Sequence, residues 1–164
     1  MIKKINILFL TMFGVGRSKY APGTVASFFT CSIFIFFYNF QINIFFLITG
    51  VFFIFIYSVY SLDRFKNSFD EIDSKEIVID EFIGQSIPVM TIYFFLQKND
   101  FENFILYTLF SFILFRFFDI IKPYPINLID RNMKNGFGVM FDDVVAGLFT
   151  SVILLGIFSL INYE

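Results

Sequence analysis

Between Lys19 and Asp63 the chain carries no charged side chain, a run of 43 residues from Tyr20 to Leu62. One helix needs about 20 residues to cross the ~30 Å hydrocarbon core of a bilayer. The run is therefore long enough for two crossings. Asn39-Phe40-Gln41-Ile42-Asn43 is its only polar break and predicts a turn between spans at 22–38 and 43–62. Three more apolar stretches follow: Ile77–Leu96, with Asp80 and Glu81 near its start and Pro88 in its middle; Asn103–Ile121, with Arg116 and Asp119 towards its end; and Asp143–Ile161, uncharged after its first residue. Composition agrees. Hydrophobic residues make up 57% of the 164 and charged residues only 16%, against about 25% charged in a soluble domain. The reading is a single all-α, polytopic membrane domain over residues 1–164, with about five transmembrane helices. Met1–Phe13 opens like a signal peptide but lacks a small-residue cleavage site. It reads as a short N-terminal interfacial or re-entrant helix.

The connections give the orientation. Lys3, Lys4, Arg17 and Lys19 precede the first span, Arg64, Lys66 and Lys75 fall in 63–76, and Lys122, Arg131 and Lys134 fall in 122–142. The opposite connections hold only Lys98, and the C-terminal tail holds no Lys or Arg. Positive residues mark the cytoplasmic side, so the N-terminus is expected inside and the C-terminus outside.

Two absences narrow the chemistry. There is no histidine, and Cys31 is the sole cysteine, which removes histidine bases, the usual zinc sites and any internal disulfide. Cys31 is not followed by Arg six residues on, so it does not open a Cys-x5-Arg phosphatase loop and reads as a packing residue. With 12 basic against 14 acidic residues, nothing suggests nucleic-acid binding. Carboxylates, Lys and Arg, hydroxyls, amides and a hard metal ion remain.

The unusual polar groups gather on the expected cytoplasmic side. Asp80 and Glu81 lie in or at the edge of a span, where charge is costly, and Glu76, Asp80 and Gly84 fall on one helical stripe. Like charges at that spacing repel and ask for a cation, although acids at a helix start can also serve the macrodipole. Gly84 would let another helix approach closely. Asp142 and Asp143 open the last span, again as either caps or ligands. With Asp119 these acids come from three spans, a set suited to Mg²⁺. Arg116 and Asp119 share a face, and Lys122 follows before Pro123 and Pro125 stop the helix. Arg116 would either snorkel to the interface or meet carboxylate or phosphate. Gly14–Thr24 is neither a dinucleotide fingerprint nor a P-loop, but Pro22 suits a first helical turn and leaves amides, Thr24, Arg17 and Lys19 beside a helix N-terminus. Asp63, Arg64, Lys66, Asp70, Glu71 and Asp73 read as a solvated loop, with Asp63 the exception to watch.

A divalent ion beside cations and helix-end amides is the equipment of phosphoryl transfer. At a membrane interface it points to a lipid phosphate. A non-enzymatic transport or ion-binding protein would instead spread its polar groups through the membrane depth, and the outward halves of these spans carry no charge. A cytidine-diphosphate-lipid phosphotransferase lacks its signature here.

Ala21-Pro22-Gly23-Thr24, Ile77–Gly84, Phe115–Ile126 with Asp130-Arg131, and Gly138–Gly147 together resemble the phosphatidylglycerophosphatase A family, in order along nearly the whole chain. Tyr124 stands where the family often has Trp, and Asn135-Gly136 where it often has Gly-Gly. Ser18-Lys19-Tyr20 also varies the stretch before Ala21. The resemblance implies a Mg²⁺-dependent enzyme of the bacterial inner membrane that hydrolyses phosphatidylglycerophosphate to phosphatidylglycerol and inorganic phosphate. Asp80, Glu81, Asp142 and Asp143 are then expected at Mg²⁺, with Asp119 a further ligand or the base that orients water. Asp80, Glu81 and Asp119 are the expected catalytic carboxylates. Arg116, Lys122 and Arg131, helped by Thr24, are the expected phosphate contacts. Direct attack by water is favoured over a phosphoenzyme.

Overall fold

The computed structural model describes residues 2–65, 74–96 and 100–161. Among them there are helices and no strands: α1 (Ile2–Leu10), a 3-10 stretch over Met12–Arg17, α2 (Pro22–Asn39), α3 (Ile44–Phe65), α4 (Ile79–Phe95), α5 (Phe101–Ile121), α6 (Ile126–Asn132) and α7 (Gly136–Ile161). Lys66, Asp70, Glu71, Asp73 and Lys98 lie outside the described residues. Four helices, α2, α3, α5 and α7, are long and apolar enough to cross a membrane. The 17 residues of α4 extend only about 25 Å at 1.5 Å per residue, so by itself this helix falls short of the core.

Polar and apolar groups are distributed as a bilayer requires. Phe45, Phe46, Phe53, Leu106, Ile113, Val152 and Leu160 face outward, while Ser27, Thr30, Ser58, Gln85, Ser86, Ser111, Thr150 and Ser151 are buried. Several buried hydroxyls close on their own helices: Ser27 donates to Gly23 O at 2.9 Å, Thr30 to Ala26 O at 2.9 Å and Thr150 to Ala146 O at 2.9 Å. These three donors are thereby satisfied where water is absent. Gln85 Nε2 donates to Ser111 Oγ across α4 and α5 at 3.2 Å.

Helix α4 is the hub, packed against α2, α3, α5 and α7. Its tightest neighbour is α7. A Cβ on Gly84 would come 2.7 Å from the Asp143 carbonyl oxygen and 2.7 Å from the Phe115 ring, and one on Gly147 would strike the Gly84 carbonyl. Small residues at such a crossing let two backbones touch, as expected for Gly84.

Two expectations are corrected. The last helix begins at Gly136, not at Asp143, because side chains cap its first amides: Gly136 N–H donates to Asp63 Oδ1 at 2.8 Å and Gly138 N–H to Asn135 Oδ1 at 2.8 Å. Phe137–Phe141 can then continue as helix, and Asp142 and Asp143 lie in its second turn. The Glu76-Asp80-Gly84 stripe does not form, since α4 starts at Ile79. Glu76 sits in the preceding turn, exposed, 3.4 Å from Arg17 Nε.

Candidate active site

Helix α4 contributes Asp80 and Glu81 from its first turn, where Asp80 Oδ1 accepts the Glu81 N–H at 3.1 Å. The glycine contact brings α7 alongside, and carboxylate oxygens of Asp80, Glu81 and Asp143 lie within 4.8 Å of one another. From α5, Arg116 Nη1 lies 2.5 Å from Asp119 Oδ2 and 3.8 Å from Glu81 Oε1. The start of α2 closes the side. Pro22 occupies the first turn, and a Cβ on Gly23 would collide with Glu81 Oε1 and stand 3.1 Å from Arg116 Nη1.

Lys122 ends α5 in the left-handed region, with φ 45°. Its ammonium donates to Asp130 Oδ1 at 2.6 Å and to Asp142 Oδ2 at 2.6 Å. Burial works against the Lys122 charge, but the two carboxylates outweigh it and hold the ammonium well above the usual lysine range. Burial likewise works against an ionised Asp130, but the Lys122 hydrogen bond together with the charges of Lys122, Lys134 and Arg131 outweighs it, holding this carboxyl below the usual range. Asp80, Glu81, Arg116, Asp119, Lys122, Asp142 and Asp143 all line one cleft of about 390 Å³.

The phosphatidylglycerophosphatase A family profile matches residues 8–158. The chain belongs to the phosphatidylglycerophosphatase A family. It is thereby a member of a phosphatase family, built from helices suited to a membrane. A Bacteroides thetaiotaomicron protein with the provisional name phosphatidylinositol-3-phosphatase is 30% identical over 153 residues, covering 92% of this chain and 91% of that protein. The phosphatidylglycerophosphatase A of Haemophilus influenzae is 39% identical over 85 residues, and that of Escherichia coli 42% over 82. These two matches cover 52% and 50% of this chain but only 47% and 43% of the relatives' own lengths. No solved structure matches the chain.

The expected site residues meet in space unequally. Asp80, Glu81 and Asp143 converge, whereas Asp142 turns to Lys122. Neighbours on a helix point about 100° apart, so the two acids of α7 serve different partners. Thr24 is half-buried in the first turn of α2, and Arg131 is exposed on α6; neither lines the cleft. Gly23 and Lys75 do line it. The Ala21–Thr24 motif flags Gly23, while nothing in the sequence distinguishes Lys75 from an ordinary loop lysine.

The carboxylate group fits a hard cation. Its donors are all oxygen, and Glu81 Oε2 and Asp143 Oδ2 are buried without a hydrogen-bond partner. Buried carboxylate oxygens are normally paired. Five carboxylates face three cations around the cleft, counting Lys75, so the residues by themselves leave negative charge uncompensated.

Proposed function

We propose that this protein is a Mg²⁺-dependent phosphatidylglycerophosphatase of the bacterial inner membrane, acting at the cytoplasmic face. The observation that carries the reading is the convergence of Asp80, Glu81 and Asp143 beside Arg116 and Lys122 in one membrane-protein cleft. Family membership supplies the reaction class. The ten-to-one bias of Lys and Arg supports placing the cleft's side of the bundle in the cytoplasm.

Asp80, Glu81 and Asp143, with Asp142 through water, would hold Mg²⁺. When bound, the ion neutralises phosphate charge and polarises the phosphoryl group. Arg116 offers a planar set of donors to the phosphate oxygens. Lys122 has three N–H donors; two are taken by Asp130 and Asp142, and the third serves the phosphate. Asp119, held by Arg116, orients the attacking water. The water oxygen bonds to phosphorus as the bond from phosphorus to the glycerol oxygen breaks. One water proton passes to Asp119, which returns it to the glycerol oxygen as that bond breaks, while the other stays on the new phosphate oxygen, releasing phosphatidylglycerol and inorganic phosphate.

The test is phosphate release from phosphatidylglycerophosphate by the purified protein, with and without Mg²⁺, beside Asp80→Asn and Asp143→Asn. Each folded variant is expected to lose at least about a hundredfold in rate, the scale for removing one charge-stabilising group. Activity surviving both changes sinks the metal site. No release by the intact, folded protein puts the ion-binding reading first. Phosphatidylinositol 3-phosphate serves as comparison substrate, and faster turnover on it would reassign the headgroup.

A further inference from the structure

The cations lining the cleft differ in what already holds them. Arg116 sits between Asp119 and Glu81, and Lys122 between Asp130 and Asp142. Lys75 lines the same cleft and, among the described residues, makes no ion pair. Its charge is therefore open to a ligand.

The backbone that carries Lys75 is fixed from several directions. The Ile77 N–H donates to Ser74 O at 2.8 Å, which closes a turn with Lys75 and Glu76 at its corner. Just beyond it the Val78 N–H donates to Leu10 O at 3.1 Å, tying the turn to the end of α1. The Glu76 carbonyl packs so closely on the 3-10 stretch that a Cβ on Gly16 would strike it. The Glu76 carboxylate also meets Arg17 Nε at 3.4 Å. The turn is thus held against the cleft, and the flexible four-carbon stem of the lysine supplies the reach.

Depth separates Lys75 from the reacting centre. Asp80 and Asp143 are only 8% and 4% exposed, whereas Lys75 is exposed. The carboxylates form the floor of the cleft and Lys75 stands at its rim. The charges of phosphatidylglycerophosphate are spaced in the same way. The phosphomonoester to be removed is at the tip of the headgroup, and a phosphodiester that stays with the lipid lies one glycerol away. A monoester seated on the floor leaves the diester at the rim. There it needs a cation that no carboxylate has already neutralised.

We infer that Lys75 binds the phosphodiester of the lipid, and so favours substrates that carry a second phosphate beside the one removed. The proposal rests on reading the cleft as the site of phosphate release, and it adds a contact to the part of the substrate that does not react. The diester carries the same charge before and during the reaction, so the contact is uniform binding and acts on KM rather than kcat.

In neutral-detergent micelles, Lys75→Gln is expected to raise KM for dihexanoyl phosphatidylglycerophosphate about fivefold, the upper range for an exposed charge pair, with kcat near wild type. Lys75→Arg keeps the charge and is expected to restore KM. A fall in kcat at unchanged KM would overturn the proposal. So would an equal rise in KM for Lys4→Gln, which removes an exposed charge on α1 outside the cleft and reports general attraction of anionic lipid. A second arm needs no turnover. Dihexanoyl phosphatidylglycerol, which holds the diester alone, and inorganic phosphate are each titrated into the full chain. Lys75→Gln is expected to weaken the first about fivefold and leave the second unchanged, a result that supports the contact even if the phosphatase reading fails. Equal weakening of both ligands would put Lys75 at the reacting phosphate instead. Phosphatidylglycerol that binds wild type and variant alike, or binds neither, refutes the contact even if that reading holds.

Discussion

Lys122 is the residue on which the rim of the site depends. Its left-handed backbone turns the chain out of α5, and its ammonium ties α6 to α7 through Asp130 and Asp142. The pH dependence of that tie has a definite sign. Asp130 is held below its ordinary value, so its contribution is present above about pH 4 and is lost as pH falls through the lowered folded value. Lys122 is held above its ordinary value, so its contribution is present below about pH 10 and is lost only as pH rises through the raised folded value. The difference in unfolding temperature between wild type and Asp130→Asn should be flat from about pH 5 to 9 and shrink towards zero in more acid solution. A difference growing in acid would contradict the pairing. Arg116→Lys keeps the charge but loses the planar fork, and should lower the phosphate-release rate about tenfold or more while Asp119 stays in place. The acids of α4 and α7 were legible as individual residues because charge in an apolar run is conspicuous. Their division of labour was not read: Asp142 turns to Lys122, while Asp143 joins Asp80 and Glu81.

At the scale of elements, the α4–α7 crossing sets the distance between the carboxylates. Gly84→Ala puts a methyl group against the Asp143 carbonyl and the Phe115 ring. It should cost about 1–3 kcal/mol, as overpacking does, and lower activity by moving Asp143. Gly50→Ala is the control: its Cβ meets open space, so stability should hold or rise by up to about 1 kcal/mol from helix propensity. Unfolding of both in detergent micelles checks the contrast. Element existence was readable from the apolar runs, and α2, α3 and α5 begin and end close to where those runs do. The start of α7 has one local cap, Asn135, that the sequence offered, but its other cap is Asp63 from the end of α3, and no local pattern reports a partner 73 positions away. Gly23 poses the same difficulty, since what forbids its side chain is Glu81, from another helix.

For the whole molecule, the expected arrangement is five crossings with α4 as the short one. This gives opposite sides for the two ends. In a Cys31→Ser background, Lys4→Cys should react with a membrane-impermeant maleimide only after the cytoplasmic side is opened. Ser159→Cys should react in intact cells. Reaction of both from one side would require an even number of crossings.

The burial of the carboxylates on helices that themselves form the spanning bundle has a kinetic corollary. Substrate reaches them by travelling within a two-dimensional sheet, so the governing concentration is molecules per area of lipid rather than per volume of buffer. Diluting reconstituted vesicles with buffer should leave turnover per protein unchanged, whereas adding neutral phospholipid to the same vesicles should lower it in proportion. In the proposed reaction the two products depart by different routes, phosphate into the aqueous phase and the lipid, still anionic through its phosphodiester, sideways into the leaflet.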